Sequence, residues 1–492
     1  MKKLSWVVTC VLIALLCIAP LLFPGAGVVK AGIYNSSSDV TYKEYWIPHS
    51  QFTARCQDVG SNFFYLEPGP CEKTMTFNIP DDFSQALKVE IYIDYWRNHN
   101  EHGSRFKLNN GPLHTPNVGE DWSRTPYMAE IPKSELQQGS NTITFSVVDG
   151  RRGHIHDVAF RIYHDAGHPL VAGPGSDVTP PTGNLTSIVA SNGTFAPGAG
   201  GTLNVDNDQL TFNATASGAK FVEFHAFYDG YDEDNDGAFI DWHNRGRNNW
   251  HPGGTEGGTN GKPLGGTIDH VGTVTSTTSS YTLNWYLPHI KNQSGVRFKV
   301  RLVDSAGNVR ETAGGESAAF TLGRSYNVET YLISNFQDGV LGQNGAGPFV
   351  ITRTITLPAS LSGYNQAYMI GAYWQNPRIS LNGNTKFSAF NSGQDVWQLS
   401  IRSLNMNHLQ GASNQIEYFY SSGWGQFVEK PGPMIVLREV ASTPPTPTPT
   451  PSGPTSTPTS TATATSTPTP TATATAIAPA GGIKLYLPIV MR

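Results

Sequence analysis

The chain repeats itself across a long interval, and that constrains its fold more than any other feature. Ile79-Pro80 is followed 16 residues later by Trp96, which closes the triplet Asp94-Tyr95-Trp96, and Leu357-Pro358 is followed 16 residues later by Trp374, which closes Ala372-Tyr373-Trp374. Downstream, FKLNNG around Asn109 answers ISLNGN around Asn382, and LQQGSNTITF around Asn141 answers LQGASNQIEY around Asn414. Both asparagine pairs lie 273 residues apart. Shared spacing in two distant blocks predicts one architecture built twice.

The repeated segments read as strands. TMTFNIP and TRTITLP alternate between apolar and polar side chains and stop at a proline, while KVEIYIDYW and QAYMIGAYW are rich in β-branched and aromatic residues. LNNG and LNGN supply turn chemistry, and NTITFSVVD and NQIEYFYSS alternate again. The order LNG, spacer, L-x-x-G-x-N, from which the first block departs at Asn110 and the second at Ala412, resembles galactose-binding-like jelly rolls of the carbohydrate-binding-module type, over residues 70–165 and 350–440. The resemblance implies a β-sandwich in each block and does not name a ligand.

Between the two blocks, QLTFNATA and KFVEFHAFYD alternate, and GVRFKVRLVDSAGNVRE closes the segment with Asp304, Gly307 and Asn308 in a D-x-x-G-N turn. That ending resembles the last strands of bacterial immunoglobulin-like or fibronectin-like modules and implies a third sandwich. The Pro-Gly junction DVTPPTG and the segment TLGRSYN bound it. The expectation is an all-β protein: a jelly-roll-like sandwich over 32–176, an immunoglobulin-like sandwich over 180–322 and a second jelly roll over 326–440. The insert at 230–272 exceeds what a simple sandwich needs, and long inserts are where function tends to sit.

The ends speak to location. Met1, Lys2 and Lys3 precede an apolar run from Trp6 to Phe23, with Val29 and Ala31 as small-residue cleavage positions. Residues 1–31 are expected to be a secretory signal, with an uncleaved membrane anchor as the alternative. In an exported chain, Cys56 and Cys71 are expected to pair, closing a loop of about 15 residues and contributing about 3 kcal/mol. A reactive or metal-binding pair is the other reading. Residues 442–476 reduce to Thr, Pro, Ser and Ala, which cannot offset their ordering entropy and are expected to form a disordered stalk. The apolar tail at 477–492, with Tyr486-Leu487-Pro488, resembles the ends of secreted proteins of some filamentous bacteria. That resemblance implies retention at the cell envelope; a frayed apolar end is the alternative.

A net charge of −5 over 492 residues, with no basic stripe, argues against nucleic acid as a partner. The chain has no G-x-S-x-G elbow, P-loop or dinucleotide fingerprint. Paired carboxylates for hydrolysis could come from Glu101, Glu120, Asp121, Glu130 or Asp157, but sequence does not bring any two together.

Within the insert, Asp232, Asp234 and Asp236 followed by Gly237 match the opening of a calcium loop. His243 stands at the twelfth position in place of a bidentate glutamate, so Asp229 or Asp241 would complete the ligand set. Calcium and a solvated acidic turn are the two readings. His154 and His156 share a face if RGHIHDVAFRIY is a strand, and with His99, His102, Asp157 or His164 they could hold zinc. Solvated or hydrogen-bonded histidines fit the same pattern.

Trp122, Trp250 and Trp424 lie among polar and Gly-rich residues, where an indole can cover the apolar face of a sugar. Trp96 and Trp374, at matched spacing, are expected in the cores. The function expected is noncatalytic binding of a polysaccharide or cell-envelope glycan. A structural or adhesive role with a surface-protein partner is an alternative, and a polysaccharide-active hydrolase or lyase is another.

Overall fold

The computed structural model describes residues 38–48, 51, 64–66, 72–97, 104–116, 124–147, 153–232, 238–243, 257–258, 262–263, 271–275, 278–333, 339–340, 349–374, 377–389, 397–420, 427–428 and 432–439. The protein is all-β. Its helical elements among those residues are single 3₁₀ turns, such as Lys133–Glu135 and Met406–His408, which sit at equivalent places in the repeat.

Eight principal strands build the first jelly roll: β1 (Val40–Trp46), β2 (Glu72–Ile79), β3 (Lys88–Arg97), β4 (Ser104–Leu108), β5 (Leu113–His114), β6 (Arg124–Ile131), β7 (Gly139–Val147) and β8 (Gly153–His164). They form sheets in the orders β1-β8-β3-β6 and β2-β7-β4-β5. Period-two alternation decides which side chains face inward. In β2, Met75, Phe77 and Ile79 are buried while Glu72, Thr74 and Asn78 are exposed. Across the sandwich, the Phe77 ring stacks on Phe160 of β8 at 4.3 Å between centroids.

The middle sandwich contributes β9 (Thr182–Ala190), β10 (Gln209–Ser217), β11 (Phe221–Asp229), β12 (Ile240–His243), β13 (Ser280–Tyr286), β14 (Gln293–Val303), β15 (Asn308–Glu311) and β16 (Phe320–Gly323). Its core joins Leu210, Phe212 and Trp285 of one sheet to Phe224, Phe298 and Phe320 of the other.

The second jelly roll follows with β17 (Val328–Leu332), β18 (Phe349–Thr356), β19 (Tyr364–Trp374), β20 (Arg378–Leu381), β21 (Phe387–Ser388), β22 (Trp397–Leu404), β23 (Ser413–Tyr420) and β24 (Met434–Glu439). Its sheets run β17-β24-β19-β22 and β18-β23-β20-β21, the strand order of the first jelly roll. Register agrees as well. Asn141 lies opposite Phe77 of β2, and Asn414 lies opposite Ile355 of β18.

One strand joins the first two sandwiches. β1 pairs with β8 through Tyr42↔Tyr163 and, on its other edge, with β15 through Tyr42↔Val309. The larger sheet of the first jelly roll therefore continues without a break through β15 into β14 and β16. The described residues between 38 and 439 form one compact unit. The segments expected as signal peptide, stalk and tail lie outside the described residues.

Candidate functional site

The unbroken sheet buries charge beside β1. Arg301 on β14 donates to Glu44 Oε1 at 2.9 Å, to Glu223 Oε2 at 3.0 Å and to the Tyr42 hydroxyl at 3.1 Å, and it lies 3.2 Å from Glu311 Oε2. Arg161 on β8 donates to the same Glu44 oxygen at 3.0 Å, and Lys299 sits 3.3 Å from Glu311 Oε1. Burial would raise the Glu311 carboxyl, but Lys299 and Arg301 outweigh it and hold the group below its ordinary value. Burial pushes the Lys299 ammonium down, opposed by Glu311, and pushes His225 down as well. Glu44, Glu223 and Glu311 are matched by Arg161, Arg301 and Lys299, and each carboxylate contacts a cation. Such an array ties β1 to both sandwiches through buried ion pairs.

A second seam joins the middle sandwich to the second jelly roll. Tyr231, at the root of the 230–272 insert, is 1% exposed and packs with Val328, Ile370, Met434 and Val436. Its hydroxyl accepts the Ala372 amide N–H at 3.0 Å. Beside it, Asp208 takes Arg324 at 3.1 Å, Arg438 at 2.5 Å and the Tyr326 hydroxyl at 3.0 Å.

An open cleft of about 400 Å³ runs along β17 at this seam, lined by Lys291, Asn292, Asn327, Glu329, Thr330 and Tyr331. Among the described residues β17 is an edge strand of its sheet. Glu329 is solvent-exposed, and its Oε2 receives the hydroxyl of Tyr331 and, at 2.8 Å, that of Tyr364. Burial, followed by the hydrogen bond to Glu329, pushes both phenols up, so they remain O–H donors. Asn292 is fixed by its bond to the Tyr326 carbonyl at 2.7 Å, Asn327 is fixed by Glu439 at 3.2 Å, and Lys291 pairs with Asp229. The cleft thus offers hydroxyls, amides, a carboxylate and an ammonium beside the Tyr331 ring. Such a surface suits a polyhydroxylated ligand with alternating polar and apolar faces.

The residues singled out from sequence meet the structure unevenly. Trp122, Trp250, Trp424, Cys56, Cys71, Asp234 and Asp236 lie outside the described residues. Asp232 is described and is 4% exposed, next to the docked Tyr231. Asp229 is engaged by Lys291, and Asp241 Oδ1 accepts the Trp242 amide at 2.7 Å, so either would have to exchange a partner to serve a cation. Among the described residues no three His, Cys, Asp or Glu side chains form a metal-binding group. The backbones of His154 and His156 lie on β8, though their side chains are outside the described set, and His164 is buried at 6% exposure. Trp96 and Trp374 occupy matching ends of β3 and β19, and the tyrosines before them, Tyr95 and Tyr373, are each 1% exposed.

Sequence reading missed the cleft. Its walls come from Lys291-Asn292 and from Asn327 onward, at the end of the boundary segment TLGRSYN; the β-branched and aromatic residues of VETYL are the available strand signal.

No known protein family matches the chain, and no curated protein is significantly similar to it in sequence. Among solved structures, BpGH86A, a β-porphyranase of glycoside hydrolase family 86 from the human gut bacterium Bacteroides plebeius, is 11% identical over 48% of this chain, with a TM-score of 0.20. This chain covers 35% of that protein, about a third of its length. CBM35 from Cellvibrio japonicus Abf62 is 13% identical, covering 28% of this chain and 98% of its own, with a TM-score of 0.16. PNGase F, a glycosylasparaginase from Flavobacterium meningosepticum, is 9% identical over 75% of this chain and 89% of its own, with a TM-score of 0.15. Overlaps at these scores fix neither fold nor ligand.

Proposed function

We propose that this protein is a noncatalytic glycan-binding protein, exported and held at the cell envelope, and that the cleft along β17 is a carbohydrate site. The observation that carries the reading is the pairing of Tyr331 with Glu329 in the wall of an open cleft, where the Tyr364 hydroxyl holds the same Glu329 oxygen from the neighbouring strand. Mutual hydrogen bonds order these side chains before a ligand arrives, which lowers the entropy lost on binding. Binding rather than cleavage is favoured because Glu329 is already engaged by two donors and the buried carboxylates near β1 are neutralised by cations. Export and envelope retention rest on the sequence of the two ends.

A soluble-glycan array probed with the full mature chain tests this. Wild-type protein should retain one glycan class, and Tyr331→Ala and Glu329→Gln should each weaken that binding about tenfold or more. Equal binding by wild type and both variants would remove the cleft from the account. Release of shortened product by wild-type protein would replace binding with catalysis.

We extend the proposal to calcium in the acidic loop at Asp232, Asp234 and Asp236. Calcium should raise the melting temperature of wild-type protein, and Asp234→Ala should abolish the rise. Superimposable melting curves in calcium and in chelator would dismiss the metal.

A further inference from the structure

The smaller sheet of the middle sandwich turns an unusual face to solvent. Its strands β9, β10 and β13 contain no Asp, Glu, Lys, Arg or His at any position. Solvent-facing positions of a soluble domain ordinarily include many charges. The comparable sheets of the two jelly rolls follow that rule, with Glu72, Arg105 and Lys107 in the first and Arg378 and Glu417 in the second. Here the inward positions bury Leu210, Phe212 and Trp285, and the outward positions, Val189 and Tyr286 apart, are mostly hydroxyls and amides.

Those outward groups are tied into rows that cross the strands. Ser187, Asn213 and Thr282 stand opposite one another in register, with Thr282 Oγ1 donating to Asn213 Oδ1 at 2.8 Å and Asn213 Nδ2 donating to Ser187 Oγ at 3.0 Å. The next row pairs Thr211 Oγ1 with Asn284 Oδ1 at 2.7 Å. Tyr286, two residues beyond Asn284, is 54% exposed at the end of β13.

We propose that this charge-free face is a second binding surface, whose ligand is a neutral polysaccharide presented as an extended chain or solid surface. Three physical features select that ligand. Hydroxyls and carboxamides both donate and accept, as sugar hydroxyls do. Covering the face strips water from no ionic group, whereas a charged partner would gain no counter-charge in return for its own desolvation. Side chains already bonded in rows lose little freedom when covered, and the Tyr286 ring adds an apolar surface for a pyranose face. This inference is independent of the cleft along β17, which lies on other elements.

Retention of the full mature chain on insoluble cellulose, chitin and β-1,3-glucan, at low and at high salt, provides the test. Wild-type protein should be retained on at least one of them, equally at both ionic strengths, because no charge pairing is involved. Thr211→Lys combined with Asn284→Lys should lower retention about tenfold or more, while leaving soluble-glycan binding and the melting temperature unchanged. Thr282→Arg alone, on the neighbouring row, provides a second variant should the double substitution unfold the sandwich. Wild-type protein that binds none of the three solids overturns the proposal. So does retention that both variants preserve, or retention that high salt abolishes. A dimer in sedimentation that the lysine variant dissociates would also overturn it, by assigning the face to a second copy of the chain.

Discussion

Asn109 donates a side-chain N–H to Asn141 Oδ1 at 2.9 Å, and the same bond recurs in the second jelly roll between Asn382 and Asn414, again at 2.9 Å. Asn109 and Asn382 both adopt the left-handed conformation, at φ 49° and φ 50°, and each also donates to the carbonyl at the foot of its 3₁₀ turn, Glu135 or His408. Asn141 and Asn414 are fully buried and satisfy a backbone N–H and C=O four residues upstream, at Gln137 and Gln410. Replacing Asn141 or Asn414 by Ala strands those groups and should cost about 1–3 kcal/mol in either jelly roll. Urea unfolding of the single variants and of the double variant would show it; because the sites are remote, the two losses should add within about 0.5 kcal/mol.

These asparagines were legible in the sequence because turn chemistry is local: a left-handed turn residue and its buried partner leave a fixed spacing. Strand alternation was equally legible, as Met75, Phe77 and Ile79 show. The sharing of β1 was not legible. VTYKEYW identifies a strand, but nothing in it says that Tyr42 faces Val309 as well as Tyr163, since pairing between distant strands depends on the assembled cores. The cleft was hidden for the same reason, because Lys291 and Tyr331 come from different sandwiches and share its lining only in the assembled fold. Polar neighbours are the sequence signal at Trp122, Trp250 and Trp424, and that signal does not place a ring in space.

Arg301 is the common cation of Glu44, Glu223 and Glu311, so Arg301→Met should destabilise the protein by about 3–5 kcal/mol near neutral pH. Removing the guanidinium takes away one of the charges that hold the Glu311 carboxyl below its ordinary value, so that group should protonate more readily in the folded variant. The deficit should therefore shrink as pH falls into the carboxylate range, and Glu223→Gln in the Arg301→Met background should recover part of it. Guanidinium unfolding across pH would measure both effects. A deficit that does not change with pH would show that lost packing, not exposed negative charge, dominates.

Acid should weaken the fold before the carboxylates titrate. Burial, helped by the nearby Arg324 charge, pushes His289 from the ordinary 6.5 down to about 4. Burial lowers His225 and His164 in the same direction. The unfolded chain then binds protons that the folded chain refuses, so the stabilisation from a neutral His289 is present above about pH 6.5 and is lost as pH falls toward about 4. The full window is worth up to about 3 kcal/mol for this residue. His289→Gln should flatten the dependence of the urea midpoint on pH in that interval, whereas an unchanged slope would assign the effect to His225 and His164.

The repeat also carries one mismatch that should be open to improvement. Gly139 opens β7 at φ 92°, and the residue at the same place before β23 is Ala412, at φ 67°. A side chain in the left-handed region crowds its own carbonyl and costs about 1–2 kcal/mol, a strain that glycine escapes. Backbone bonds hold the Ala412 conformation: its N–H donates to the Pro358 carbonyl at 3.0 Å, and its own carbonyl accepts the Leu357 N–H at 2.7 Å. Ala412→Gly should relieve the strain but make the unfolded chain more flexible, which takes back about 0.4–1 kcal/mol. The net gain should be about 0.5–1 kcal/mol, read as a higher urea midpoint with an unchanged slope. Gly139→Ala in the first jelly roll should lose a similar amount, and opposite signs at equivalent positions would isolate backbone conformation as the cause.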